Sequence, residues 1–248
     1  MKKPQILITR PAGQHHRFQN ALQDLGLKTV HCPCLVIEPI ENTAAQLALH
    51  KARGAVLFTS VNAVYNAHKL RSLPWPGIRS YAIGPATAEA LRDRQQVLDT
   101  DPEPPYNSES FLEICLNKSA EHLLIIKGSG GRNLIEQQLN QRGWQVSTID
   151  VYCRRSPNAS EINAKLLFSK EIYDLISISS DEGLTNLMEL ARPWRKQLLP
   201  AQLIVNSERS ASLAQQLEFT NPALVANPAG DQGQLSCVRQ WLAMHSKG

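Results

Sequence analysis

The chain has 248 residues, 42% of them hydrophobic and 19% charged, and a net charge of +4 at neutral pH. That apolar content supports one large or two modest soluble domains. The mild positive excess, spread along the chain without an arginine-rich arm, excludes the usual nucleic-acid binder and suits a small polyanion.

The elements expected along the chain begin with QILITR (5–10). Its apolar run stops at Thr9 and Arg10, as a first strand does and a secretory signal does not. Further strands are expected at KTVHCP (28–33), GAVLFTS (54–60), RSYAIG (79–84), QVLDT (96–100), HLLIIKG (122–128), QVSTIDVY (145–152), YDLISISS (173–180), AQLIVNS (201–207) and PALVAN (222–227). Helical patterns fall between them. In RNLIEQQLNQRG (132–143), Leu134, Ile135, Gln138 and Leu139 share one helical face and Gly143 follows as the C-cap. Strands alternating with helices predict a parallel α/β architecture. No apolar run approaches the roughly 18 residues of a membrane span. Cys32, Cys34, Cys115, Cys153 and Cys237 are too scattered for a disulfide framework or a zinc site, and Cys32-Pro33-Cys34 reads as two thiols at a strand end. A cytoplasmic location is the expectation.

Two self-similarities organise the chain. Residues 8–26 match 125–143, placing Arg10 on Lys127, Phe18 on Ile135, Leu22 on Leu139 and Gly26 on Gly143. Residues 57–64 match 177–184, and 82–91 match 204–213. These are two copies of one α/β unit, out of phase with each other. The Pro-containing segments 34–42 and 150–158 lie where the copies would join. The expected domains are residues 1–34 with 158–248, discontinuous in sequence, and an inserted domain at 38–150. Connectors at 35–37 and 151–157 would form a hinge.

Small hydroxyl and amide residues recur at the strand ends: Thr59, Ser60 and Asn62; Gly84 and Thr87; Ser179, Ser180 and Asp181; Asn206, Ser207 and Ser210. In open parallel sheets ligands sit beyond the carboxyl ends of the strands. Capping of the following helices explains any one of these residues, whereas their recurrence in both halves points to a ligand-facing rim. Lys-Gly-Ser-Gly-Gly-Arg (127–132) is a glycine turn between cations, expected to open a helix toward an anion. It lacks the Gly-Lys-Ser/Thr of a P-loop, and Asn133 stands where a dinucleotide fingerprint needs its third glycine. The histidines, including His15, His16, His50, His68 and His122, are expected in surface or capping roles. Tyr152, expected in a connector beside Arg154 and Arg155, is placed to donate a proton or to pack the hinge.

ILITRPAGQ, LFTSVNAV, AIGPATAEAL, IIKGSGGRNLIEQQLNQRG, IDVYCRR and VNSERSASLA occur in the order seen in uroporphyrinogen-III synthases, and the chain resembles that family over nearly its whole length. The resemblance implies two flavodoxin-like parallel-sheet α/β domains joined by a two-stranded β connector. It implies a cyclising hydro-lyase of tetrapyrrole biosynthesis. Hydroxymethylbilane, with eight carboxylates, loses water and closes to uroporphyrinogen III with its last pyrrole inverted, with no metal or organic cofactor. Tyr152 matches the tyrosine of the family's connector and is expected as the catalytic proton donor. Arg10, Ser60, Asn62, Gly84, Thr87, Lys127, Gly128, Ser129, Arg132, Ser179, Ser180, Ser207 and Arg209 are expected to bind substrate. Asn206 and Arg209 depart from the glycine and threonine of the family's late motif, with Ser207 or Ser210 available as the replacement hydroxyl. The expected partner is hydroxymethylbilane, handed over by its synthase to a monomer, with no nucleic acid and no membrane. A two-lobed small-molecule-binding regulatory protein of periplasmic-binding type is the alternative, and a nucleotide-dependent transferase is disfavoured by the failed phosphate motifs.

Overall fold

The computed structural model describes residues 3–41, 43–116, 118–169 and 172–245. Asn42, at the end of the first expected joining segment, lies outside them, as do Met1, Lys2 and residues 246–248 of the expected first domain. The strands are β1 (Gln5–Ile8), β2 (Lys28–His31), β3 (Val36–Pro39), β4 (Ala55–Phe58), β5 (Arg79–Ala82), β6 (His122–Gly128), β7 (Gln145–Arg155), β8 (Leu175–Ser177), β9 (Gln202–Val205) and β10 (Leu224–Val225). The helices are α1 (His16–Asp24), α2 (Thr43–His50), α3 (Val61–Leu70), α4 (Pro85–Arg92), α5 (Ser108–Leu116), α6 (Leu134–Asn140), α7 (Ala164–Ser169), α8 (Asp181–Leu190), α9 (Arg195–Leu198), α10 (Glu208–Gln216) and α11 (Asp231–His245).

The chain divides into two units, one of residues 1–36 and 155–248, the other of residues 37–154. Among the described residues the first holds a sheet of order β10-β9-β8-β1-β2 and the second a sheet of order β3-β7-β6-β4-β5. The pairings β1–β2, β1–β8, β8–β9 and β9–β10 are parallel, as are β4–β5, β4–β6 and β6–β7. The sequence repeat is visible in these orders. Its copies equate β1 with β6, β8 with β4 and β9 with β5, and the strands β9-β8-β1-β2 and β5-β4-β6-β7 run in the same order across their sheets.

Burial on both faces explains why the central strands are uninterrupted apolar runs. In β1, Ile6 and Ile8 pack with Phe18 and Leu22 of α1 and Val238 and Trp241 of α11, while Leu7 faces Phe168, Ile176 and Leu187. In β4, Val56 and Phe58 pack with Ala63, Val64, Trp75 and Leu91, while Ala55 and Leu57 face Phe111, Leu139 and Trp144.

Two local expectations are corrected, the strand at 96–100 and the placing of Tyr152 outside a core strand. Residues 96–100 form no strand; only Leu98 makes an isolated bridge, to Ser80, and Val97 beside it is exposed. Residues 36–39, overlapping the expected connector at 35–37, form the strand β3 beside β7, where the Ile40 N–H donates to the Val151 C=O at 3.0 Å. β7 runs unbroken to Arg155, so Tyr152 sits in the body of a strand and packs in the second unit's core with Val56, Phe58 and Val151. A smaller difference is at α6, where Gln141 is the C-cap and Gly143 follows at φ +82°.

Candidate active site

The carboxyl ends of β4, β6 and β7 lie on one edge of the second sheet. The chain leaves β4 for β5 on one side and β6 for β7 on the other, so the gap between β4 and β6 is a topological switch point, where open α/β sheets form crevices. A cleft of about 400 Å³ opens there. Its apolar lining is Ile83, Ile125 and Ile135, and Lys127, Arg132 and Arg154 face it against the single carboxylate of Glu136.

Tyr152 lines this cleft although only 4% of the residue is exposed. Its hydroxyl lies 3.1 Å from Ser60 Oγ. That same Oγ caps α3 by accepting the Ala63 N–H at 3.1 Å. The ring fits because its neighbour in β6 has no side chain. The register shifts between Lys127 and Gly128, bringing Gly128 opposite Tyr152, and a Cβ on Gly128 would stand 2.4 Å from the ring's Cζ. Gly128 therefore accommodates the phenol; it is not there to bend the backbone.

The glycine turn differs from its expectation. The Ser129 N–H donates to the Tyr152 C=O at 2.8 Å and continues the sheet pairing, so it does not face a ligand. Gly130 and Gly131, at φ +80° and +86°, make the turn itself. Lys127 braces it, donating to the Gly130 C=O at 3.0 Å, with Asp150 at 4.0 Å. α6 begins only at Leu134, without a side-chain cap on Asn133. What the turn presents to the cleft is cationic side chains. Arg132 is largely exposed there and paired to Glu109 of α5 at 2.9 Å, and a hydrogen bond from Glu109's own backbone N–H, together with Arg132, holds the Glu109 carboxyl below its usual range.

Of the residues expected to bind substrate, the cleft gathers Ser60, Lys127, Gly128 and Arg132 with Tyr152. Asn62 sits in the first turn of α3, where its C=O accepts the Asn66 side chain at 2.8 Å. Gly84 caps α4 in extended conformation and Thr87 is buried inside that helix, and neither is among the residues that line the cleft. Sequence reasoning missed Tyr106, Asn107 and Ser108, which form one wall. The available signal was Asn107, a capping residue before α5 whose Oδ1 accepts the Ser110 N–H at 2.9 Å.

In the first unit the matching residues are engaged internally. Arg10 pairs with Asp231, reaches Gln234 Oε1 at 3.3 Å and lies 4.2 Å over the Phe18 ring, its side chain 11% exposed. Gln234 is fully buried, accepting from the Ser177 hydroxyl at 2.6 Å and donating to the Ile178 C=O at 2.9 Å and to Asn206 Oδ1 at 3.0 Å. Ser180 caps α8 and Ser207 caps α10. The Ser179 C=O accepts from Asn206 Nδ2 at 3.3 Å. Ser210 is buried and donates to Asp181 Oδ1 at 2.5 Å, and Arg209 Nε lies 2.5 Å from Asp181 Oδ2. Asn206 thus anchors the loop to α11, Arg209 touches Asp181 through Nε while its side chain stays 84% exposed, and Ser210 offers no free hydroxyl.

The histidine expectation also needs correction. His15 is buried and stacks on His31 with ring centroids 3.5 Å apart, and His31 Nε2 lies 2.8 Å from the Arg10 C=O. Burial, reinforced by the neighbouring imidazoles, holds both rings below the usual histidine range. Among the described residues no three His, Cys, Asp or Glu side chains gather into a metal-holding group, and no helix is long and apolar enough to cross a membrane.

The fold and the cleft define a parallel α/β protein whose sheet edge presents cations around a buried phenol. The family model described as uroporphyrinogen-III synthase HemD matches residues 16–230. The uroporphyrinogen-III synthase of Escherichia coli (strain K12) is 28% identical over 237 residues, covering 91% of this chain and 96% of that protein. A mutant uroporphyrinogen III synthase from the extremely thermophilic bacterium Thermus thermophilus has the same fold with a TM-score of 0.62 at 16% identity, covering 98% of this chain and all of that one. The uroporphyrinogen-III synthetase of Helicobacter pylori 26695 superposes with a TM-score of 0.61 at 17% identity, covering 96% of this chain and 99% of that one. The chain belongs to the uroporphyrinogen-III synthase family.

Proposed function

We propose that the chain converts hydroxymethylbilane to uroporphyrinogen III and that the cleft of the second unit takes part of that substrate. The observation that carries this reading is the phenol of Tyr152, set at the cleft by Ser60 and by the side-chain-free Gly128. A cleft of about 400 Å³ is at the small end for a ligand site and suits a pyrrole with its acidic arms, not a whole tetrapyrrole. The isoleucines meet the ring, and Lys127, Arg132 and Arg154 meet the carboxylates.

Ser60 Oγ already accepts the Ala63 N–H, so its own hydrogen is available to the phenol oxygen. That leaves the phenolic hydrogen for the substrate's departing hydroxyl, which leaves as water. The terminal pyrrole then attacks the freed methylene through its substituted carbon to give a spiro intermediate; that carbon's original bond to the neighbouring methylene breaks, the pyrrole's free α-carbon bonds to that methylene, and the proton it loses restores the phenol. Unaided closure gives the uninverted isomer, so the task is selectivity, and about 1.4 kcal/mol of differential stabilisation shifts the partition tenfold.

The two units are flavodoxin-like domains joined by β3 and β7. The first sheet supports this, since its strands in chain order follow the 2-1-3-4-5 arrangement of such folds. The chain acts as a cytoplasmic monomer that receives bilane from its synthase, a reading checked by sedimentation alone and with that enzyme. The activity is tested by supplying enzymatically generated hydroxymethylbilane and resolving the porphyrin isomers; isomer I alone would refute it. Tyr152→Phe keeps the ring and its fit to Gly128 and is expected to lower kcat by roughly 10²–10⁴. Undiminished turnover removes the phenol from the chemistry.

A further inference from the structure

We infer that Tyr106 is an aromatic wall of the substrate cleft, stacking on a pyrrole ring of the bilane; this rests on the reading that the second unit's cleft takes that substrate. Tyr106 lines the cleft and is 43% exposed beside its apolar floor. Its backbone is at φ +57°, in the left-handed region that a tyrosine adopts only at a cost and a glycine adopts freely. Both neighbouring segments hold it there. The Tyr106 N–H donates to the Glu103 C=O at 3.0 Å, and Asn107 is fixed by capping α5 through Ser110. Behind it, a Cβ on Gly84 would approach the Tyr106 Cβ to 3.9 Å, so the loop lies close against the start of α4.

Strain retained at the edge of a cleft, on a residue whose ring supports no core, points to a role for the ring itself. The side chain belongs to none of the apolar clusters of the second unit. A pyrrole is an electron-rich planar ring whose faces are apolar and whose edge carries acidic arms. The cleft offers matching surfaces: Tyr106 and the isoleucines for the faces, and Lys127, Arg132 and Arg154 for the arms. An offset stack of this kind typically changes binding about three- to tenfold.

Stability and catalysis should therefore move in opposite directions on substitution. Tyr106→Gly relieves the backbone and is expected to melt no lower than the native protein. Its KM for hydroxymethylbilane should nevertheless rise about three- to tenfold, with a larger share of isomer I. Tyr106→Phe should retain the native KM, and Tyr106→Leu, which keeps bulk and loses the ring, should behave like the glycine variant. Lys127→Ala is measured alongside. If it raises KM while Tyr106→Gly and Tyr106→Leu do not, the wall is refuted and the cleft stands. If none of these variants changes KM or the isomer ratio, the cleft reading falls too. A Tyr106→Gly protein that melts well below the native one refutes the strain, and the wall is then decided by the leucine variant.

Discussion

Placing a single methyl group on Gly128 tests how the phenol is held. The Cβ of Gly128→Ala would lie 2.4, 2.6 and 2.9 Å from Cζ, Cε2 and Cε1 of Tyr152, where carbon atoms normally stand about 3.5–4.0 Å apart. Gly128 is not among the glycines at positive φ, so the backbone accepts alanine and the penalty is steric alone. The ring has little room to retreat, being buried in the core and tied to Ser60. Overpacking of this kind costs about 1–3 kcal/mol. Breaking the Ser60 hydrogen bond adds about 1 kcal/mol. The expected loss is therefore about 2–4 kcal/mol by urea denaturation, with faster amide exchange at Ser129, whose N–H is held by the Tyr152 C=O. A phenol displaced by about 1 Å should also cost on the order of 10²-fold in turnover. In a Tyr152→Ala background the clash has no partner, and the same substitution should cost nothing. A Gly128→Ala protein within about 0.5 kcal/mol of native, or one whose loss is equal in both backgrounds, would show that the ring and the glycine are not coupled.

Two further outcomes concern the first unit. Arg10→Met should cost about 1–2 kcal/mol, since it removes the cation from Asp231 while Gln234 keeps Ser177, with the penalty limited because Asp231 is 42% exposed; KM should not change, and a rise in KM would return Arg10 to the substrate. His15 and His31 are both held below the usual histidine range, so the unfolded chain binds protons more readily than the folded one. Their contribution is fully present above about pH 6.5 and is lost as pH falls through the lowered values. Melting temperature should thus decline from about pH 7 to about pH 5, and His31→Gln should flatten that decline; an unchanged slope would exclude the stacked pair as its source.

The strands were legible because parallel sheets covered on both faces leave a strong mark: ILI and VLF are apolar without alternation, and each stops at a threonine whose hydroxyl donates to a neighbouring strand's backbone. The equivalence of strands between the two sheets was legible through the repeat, since Arg10 over Lys127 and Ser180 over Ser60 fall on equivalent strand ends; their order across each sheet was not. What failed were marginal cases. β3 is half-buried and ends in proline, so its residues by themselves read as a joining segment, and only the family resemblance implied a β connector there. QVLDT has strand composition but only one bridge to hold it. In the site, Tyr152 and Ser60 were found separately, and nothing in either residue type announces the contact between them. That contact depends on the shift of register at Lys127 and Gly128, which is a property of two paired strands and not of either alone.

The unequal fate of Arg10 and Lys127 follows from what lies outside the repeat. Both leave the carboxyl end of equivalent strands beside a switch point, and by the repeat alone both would face a ligand. In the first unit the chain continues past β10 into α11, whose first turn packs so closely that a Cβ on Gly233 would stand 1.9 Å from the Pro228 C=O oxygen. That turn carries Asp231 and Gln234 onto the ends of β1 and β8, where they take up Arg10, Ser177 and the Ile178 carbonyl. The second unit has β3 on its opposite sheet edge and no such helix among the described residues, and Lys127 is left bracing a glycine turn at an open cleft. One repeated pattern of strand ends therefore yields a cation held by Asp231 and Gln234 in one unit and a cation left at a cleft in the other, and the difference lies in the helix that supplies Asp231 and the buried amide of Gln234.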